Sequence, residues 1–277
     1  MSYDSSDSSD KSYKPSVPRR PRVSRRTLLG AAAGIGLLAL NRLLVDSTTE
    51  GGPLGSGGAD AGTPGQRQAA GGGARAAPGA GRLTPVRILP GTGRKLALTF
   101  DDGPHPTWTP QVLGLLRQHG APATFFVIGE NAVWQPDLLR AIAAEGHLVA
   151  NHSWSHPRFD RVPRESVREE LERTSEVIGD VLGEPPRWAR APYGVWHPAS
   201  LEICAELAMR PLDWSVDTAD WSRPGSDRIA DTLLGRAHPG GIVLAHDGGG
   251  DRAQTVAALR HCLPRLADRG YDLVQPA

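Results

Sequence analysis

Leu96-Ala97-Leu98-Thr99-Phe100-Asp101-Asp102-Gly103-Pro104 is an apolar, strand-forming run that ends in two adjacent carboxylates and is stopped by Gly-Pro. A strand that delivers Asp-Asp to its end, with a turn to hold the pair there, is the feature around which the chain is organised. Neighbouring carboxylates repel unless a cation or a proton intervenes, so one of them is neutralised by a metal or a basic partner. Taken alone, the stretch also reads as a solvated turn closed by an Asx cap. The decision rests on what else the chain brings to the same place.

Upstream of this strand the composition changes. The chain has 277 residues and a formal charge of +1, which gives no electrostatic basis for binding nucleic acid. All seven Trp fall between Trp108 and Trp221, and the first 85 residues are poor in aromatics. The core-forming region is therefore expected over residues 86–277, long enough for one α/β domain. Residues 1–23 are Ser, Asp, Lys, Arg and Pro with little that is apolar, and are expected to be disordered. Residues 24–45 open with Ser24-Arg25-Arg26 and continue into an uncharged Ala/Gly/Leu run to Leu40. That run is short for a membrane span and has the length of a signal h-region, and the Arg pair resembles a twin-arginine export signal. No small-x-small cleavage site follows at once, so residues 28–45 are also a candidate membrane anchor. Residues 46–85 form a linker, with twelve Gly between Gly51 and Gly81. The expected location is outside the cell, free or anchored at the outer face of its membrane.

Downstream, strand and helix signals alternate. Strands are expected at Lys95–Phe100, Thr124–Ile128, His147–Ala150, Arg187–Arg190, Arg210–Val216, Gly241–Ala245 and Tyr271–Val274. Helices are expected from an N-cap at Thr109 to His119, over Pro136–Glu145, from a Ser166/Glu169 capping box to Gly183, and near Ala199–Leu207, Asp227–Arg236 and Gln254–Asp268. Seven strands alternating with helices predict a parallel sheet, open or closed. Cys204 and Cys262 sit in apolar helical segments and read as buried thiols, with a disulfide the alternative in an oxidising compartment.

Each polar cluster falls at the C-terminal end of an expected strand: Asp101 and Asp102, His152 and His156, Arg190, Asp217 and Asp220, His246 and Asp247. In parallel α/β folds that rim is where ligands and catalysts gather. His152 and His156, four residues apart, can turn both rings to one point, and with a carboxylate they make a two-His, one-carboxylate metal site. The pair alone is weak; beside Asp-Asp on one rim, the metal reading leads. Trp108, Trp154 and Trp196 are candidates for stacking on sugar rings or for packing against the rim.

Thr99-Phe100-Asp101-Asp102-Gly103-Pro104, His152-Ser153-Trp154-Ser155-His156, Arg190-Ala191-Pro192-Tyr193-Gly194, Asp217-Thr218-Ala219-Asp220-Trp221 and Leu244-Ala245-His246-Asp247 resemble, in order, the five motifs of the NodB-homology polysaccharide deacetylases, family four of the carbohydrate esterases. The resemblance runs from about Lys95 to the C-terminus. It implies an α/β fold, a distorted (β/α)7 barrel, and a divalent metal, usually Zn2+, with Co2+ or another ion as alternatives. Asp102, His152 and His156 would be its ligands. Asp101 would be the base on the metal-bound water, with Arg190 pairing to it, and His246 the acid, oriented by Asp220. The Tyr193 backbone N–H, after Pro192, would face the oxyanion, and Trp221 and Leu244 would wall the acetyl methyl.

The implied reaction is removal of N-acetyl groups from a GlcNAc-containing polymer such as peptidoglycan or chitin. O-deacetylation of acetylated xylan is the close alternative, since the same residues serve both. A non-catalytic glycan-binding barrel would be signalled by loss of Asp101, His246 or a ligand, and all are present. Nothing in the pattern addresses oligomeric state.

Overall fold

The computed structural model describes residues 83–91 and 93–277. The expectations for residues 1–23 and 24–45, and most of the linker, lie outside the described residues. Within them, β1 (Lys95–Asp101), α1 (Thr109–Gln118), β2 (Ala123–Val127), α2 (Gly129–Trp134), α3 (Pro136–Ala144), β3 (Leu148–Asn151), α4 (Arg164–Leu182) and β4 (Trp188–Ala189) come first. They are followed by α5 (Pro198–Glu206), β5 (Arg210–Pro211), β6 (Val216–Asp217), α6 (Ser226–Arg236), β7 (Gly241–His246), α7 (Ala253–Asp268) and β8 (Asp272–Leu273). All strand pairs are parallel, in the order β5-β4-β3-β2-β1-β7-β6, with β8 on β1.

β1 is central, and six of its seven residues are buried. A parallel strand covered on both faces reads as a continuous apolar run, which is why the stretch lacks hydrophobic alternation. Its residues still alternate between two environments. Leu96, Leu98 and Phe100 join Val112, Leu116, Leu259 and Leu263 beneath the helices, whereas Ala97 joins Phe126, Ala150, Leu212 and Ile242 inside the curl of the sheet. Each fully buried Leu or Phe contributes about 1.5–3 kcal/mol of transfer free energy. Asp101, two residues beyond Thr99, continues the inward row at the top of the strand.

The expected strand Arg210–Val216 is two short strands at opposite edges of the sheet. β5 pairs with β4 and β6 with β7, so one segment carries the chain across the gap between the edges. The gap is filled by residues 86–89: Val86 bridges Leu212 in parallel and Ile88 bridges Gly241 in antiparallel. The result is a distorted, incompletely closed barrel.

Two helix starts differ from expectation. α1 is capped by the backbone of Trp108, while the Thr109 hydroxyl accepts from His105 N–H and donates to Asp247. α4 begins at Arg164, behind the extended Pro163, so Ser166 and Glu169 lie inside the helix and form no capping box. Its end is as expected: Gly183 adopts φ 87°, a left-handed conformation that glycine takes at least cost, and its N–H closes on the Gly179 carbonyl. Cys204 and Cys262 are free and lie in separate buried clusters, and burial pushes their thiols up to about 12 and about 11. No helix among the described residues is long and apolar enough to cross a membrane.

Candidate active site

The sheet register assembles the rim. Asp101 is the neighbour of His246 across β1 and β7, and Asn151 is the neighbour of Ala189 across β3 and β4. His152 and Arg190, the next residue on each strand, are thus brought side by side at the rim. A cavity of about 390 Å³ opens there, lined by Asp101, Asp102, His152, His156, Tyr193, Trp214, Asp217, Trp221, Leu244 and His246. Arg190, Pro192 and Asp220 are buried behind this lining.

Asp101 ends β1 on its inward face. Asp102 follows with φ 69°, and this left-handed step turns the second carboxylate toward the histidines. His152 Nε2 lies 3.5 Å and His156 Nε2 3.4 Å from Asp102 Oδ1. The Nδ1 of His152 is 2.9 Å from the Arg190 carbonyl oxygen. A carbonyl only accepts, so Nδ1 carries the proton and Nε2 presents its lone pair to the site.

Asp102 Oδ1 is buried and has no hydrogen-bond partner among the described residues. An orphaned anionic oxygen facing two imidazole nitrogens, all three within 4.8 Å of one another, suits a divalent cation. The electrostatics agree. Burial raises the pKa of Asp102, but His152 and its neighbours outweigh this and hold the carboxyl well below its usual range. Burial lowers that of His152, and Asp101 with Asp102 more than reverses it. The carboxylates draw positive charge, a proton or a metal, onto this one spot.

Arg190 fills the barrel interior and is fully buried, with its guanidinium 4.1 Å from the Phe126 ring. Its donors are used: Nη1 to Asp101 Oδ1 at 2.7 Å and to Thr99 Oγ1, Nε to the Leu212 carbonyl, Nη2 to the Asp213 carbonyl. Asp101 is thereby held at one oxygen, while Oδ2 faces His152 at 3.6 Å.

On the opposite wall, Asp220 accepts from His246 N–H, from Thr255 Oγ1, and, at 2.7 Å, from His246 Nδ1. Burial opposes charge on His246, but Asp220 outweighs it and pushes the imidazole up to about 9. Burial likewise opposes ionisation of Asp220, and the bond to His246 outweighs it and lowers its pKa. Tyr193 has φ 61° within the 3-10 turn Pro192–Gly194, and its N–H reaches no backbone acceptor among the described residues. Tyr193 and Trp221 are 60% and 58% exposed, large apolar surfaces at the mouth of the cavity.

Residues 89–212 match the sequence profile of the family described as polysaccharide deacetylase. A chitooligosaccharide deacetylase of Bradyrhizobium sp. (strain ANU 289) is 44% identical over 192 residues, 65% of this chain and 88% of that protein. This chain belongs to the polysaccharide deacetylase family. Among solved structures, a peptidoglycan N-acetylglucosamine deacetylase superposes with a TM-score of 0.66 at 37% identity, covering 68% of this chain and 88% of that one. A family 4 carbohydrate esterase from Streptomyces lividans, in complex with acetate, gives 0.62 at 33% identity, with 66% and 93% covered. Polysaccharide deacetylases of this kind share the half-closed parallel barrel described above.

The three tryptophans singled out as stacking candidates do not line the cavity. Trp108 packs on the main core, Trp154 lies beneath Arg173, and Trp196 donates to Asp213. Trp214 and Trp221 line it instead. Asp217 both caps a turn, accepting from Ala219 N–H, and faces the cavity. Asp213 was not legible as a supporting residue, yet it is buried and gathers Arg87, Trp196 and, through its carbonyl, Arg190. Its only signal was a lone carboxylate in the middle of the expected strand Arg210–Val216.

Proposed function

We propose that this protein is an exported, metal-dependent hydrolase that removes N-acetyl groups from a GlcNAc-containing polysaccharide of the peptidoglycan or chitin type. The observation that carries this reading is the buried, partnerless Asp102 Oδ1 facing His152 and His156 beside an Asp101 clamped by Arg190. The chitooligosaccharide and peptidoglycan deacetylases among its relatives support the substrate class. The basic and apolar run at residues 24–45 supports export.

Asp102, His152 and His156 would hold the divalent ion, Zn2+ or, with the same donors, Co2+ or another, which lowers the pKa of water and polarises a carbonyl oxygen. Asp101 takes the proton of the attacking water through Oδ2, with Arg190 fixing the orientation of its carboxylate. The Tyr193 N–H donates to the oxygen that becomes negative as the acetyl carbon turns tetrahedral. His246, protonated and braced by Asp220, gives its proton to the departing amine, so that acetate and a free amine leave. Leu244 and Trp221 bound the space for the methyl group, and Tyr193 and Trp221 offer their faces to sugar rings.

Acetate release measured in parallel on N-acetylchitooligosaccharides, peptidoglycan and acetylxylan, with chelator and with metal restored, tests the reading. Release from the first two, lost with chelator and regained with metal, is expected. No release from any of the three would overturn it. The likeness to a carbohydrate esterase supports a second reading, hydrolysis of O-acetyl esters, with acetylated xylan as the substrate to test. An alkoxide leaves with less help from an acid than an amine does, so His246→Ala is expected to spare ester hydrolysis more than amide hydrolysis.

A further inference from the structure

We infer that Glu170, on α4 and outside the cavity, is a positioning residue that sets the spacing of His152 and His156; this rests on the metal-site reading above. The loop between the two histidines has little regular structure, and Ser153 and His156 sit at φ 66° and 61°. Non-glycine residues in that region cost energy and persist only where their surroundings hold them. Gly129 and Glu130 N–H groups donate to the Ser153 and Trp154 carbonyls and His156 N–H donates to Ser153 Oγ, and the N–H side of the loop is held by one carboxylate. Glu170 Oε2 accepts from Trp154 N–H at 2.8 Å and from Ser155 N–H at 2.7 Å, and Oε1 accepts from Ser155 Oγ at 2.7 Å.

The next turn of the same helix holds the other side of His152. Asn151 Nδ2 donates to the Leu171 carbonyl and to Ser175 Oγ, and Asn151 Oδ1 accepts from Ser153 N–H. Arg173 adds a third contact, its guanidinium 3.8 Å from the Trp154 ring. The peptide carrying both imidazoles is thus registered on α4 at Asn151 and at Trp154–Ser155. Hydrogen bonds from a carboxylate to backbone N–H groups are charge-assisted and stronger than neutral ones. Glu170 makes two of them between the histidines, so its removal loosens the segment on which the Nε2–Nε2 separation depends. Glu169, one residue before it, is exposed and among the described residues pairs only with Arg173, at 3.8 Å.

The test is the metal affinity of the chelator-stripped protein, read by Zn2+ competition with a fluorescent chelator and by the visible spectrum of added Co2+. Glu170→Ala is expected to weaken metal binding about 10-fold and to broaden the Co2+ bands. Glu170→Asp, which withdraws the carboxylate by one methylene and keeps the fold if the alanine variant does not, should weaken it in the same direction. Glu170→Gln retains an oxygen acceptor and should restore most of the affinity, and Glu169→Ala should match the parent protein. A merely structural role would lower the melting temperature and leave the affinity of the folded protein unchanged, and that result in the Ala and Asp variants overturns the inference. If the parent protein binds no metal, the reading of the site fails and the inference with it.

Discussion

Arg190 Nη1 meets Asp101 Oδ1 at 2.7 Å inside the barrel, with both side chains almost wholly withdrawn from solvent. Removing one partner of such a pair strands the other charge, at a cost of about 3–5 kcal/mol. Arg190→Ala is therefore expected to lose that much stability in denaturant unfolding and to lose acetate release. Asp101→Asn keeps an oxygen acceptor for Arg190 and leaves the three ligands in place, so it should still bind metal and fail to turn over. Full acetate release by that variant would refute the assignment of Asp101 as the base.

Metal binding should depend on the rim in two distinct ways. His152→Ala removes a ligand atom, and metal and activity should disappear together in metal analysis and acetate assays. A Cβ at Gly248 would overlap the backbone carbonyl oxygen of Asp102. Gly248→Ala is accordingly expected to displace Asp102 and to weaken metal binding at least about 10-fold; parent-like affinity would show that the loop yields.

The pH dependence turns on His246. In chelator-stripped protein its imidazole should titrate near about 9, raised from 6.5, in a histidine NMR experiment. Asp220→Asn should bring it back toward the ordinary value. A histidine raised in the folded state contributes stability that is fully present below the unfolded value and lost as pH rises through the folded one, so this contribution fades between about 6.5 and 9. Acetate release should fall on the alkaline side as the acid loses its proton. An alkaline limb that Asp220→Asn leaves unmoved would exclude the pair from that role.

Asp247 has the same sign in a lower pH window. Burial pushes its carboxyl up from 3.8 to about 7, one oxygen accepts from Thr109, and the other has no partner among the described residues. Between those values the folded protein holds a proton that the unfolded chain has released, so stability falls as pH rises. Asp247→Asn removes the titration. Its stability relative to the parent should rise by about 2–3 kcal/mol between about pH 5 and about pH 8 in chemical denaturation. An equal loss at both values would give Asp247 a charged role instead.

Much of the site was legible before the fold was known, because strand ends are local. A β-prone run followed by Gly-Pro marks where Asp101 and Asp102 stop, and Gly146 and Gly183 mark where two helices end. What was not legible depends on partners far along the chain. Thr109 was expected to cap α1 and its hydroxyl is instead taken up by Asp247, 138 residues away. The segment Arg210–Val216 was expected as one strand, yet its two ends pair with opposite edges of the sheet. Trp154 was a candidate stacking residue and lies beneath Arg173, whereas Trp214, read as part of a strand, lines the cavity.

By itself the sequence determined the alternation of strands and helices, the gathering of carboxylates, imidazoles and one arginine at a single rim, and the motif order that marks the family. These follow from side-chain periodicity and turn chemistry, which act over a few residues. The motif resemblance implies how the two adjacent aspartates divide, and only the tertiary structure shows the geometry that separates them. Strand register turns Asp101 inward onto Arg190 and beside His246, and the left-handed backbone at Asp102 swings the next carboxylate to His152 and His156. Register and backbone hand at that point are set by β7, by the Gly248–Gly249 loop packed on Asp102, and by an arginine buried inside the barrel, contacts that exist only once the sheet has curled.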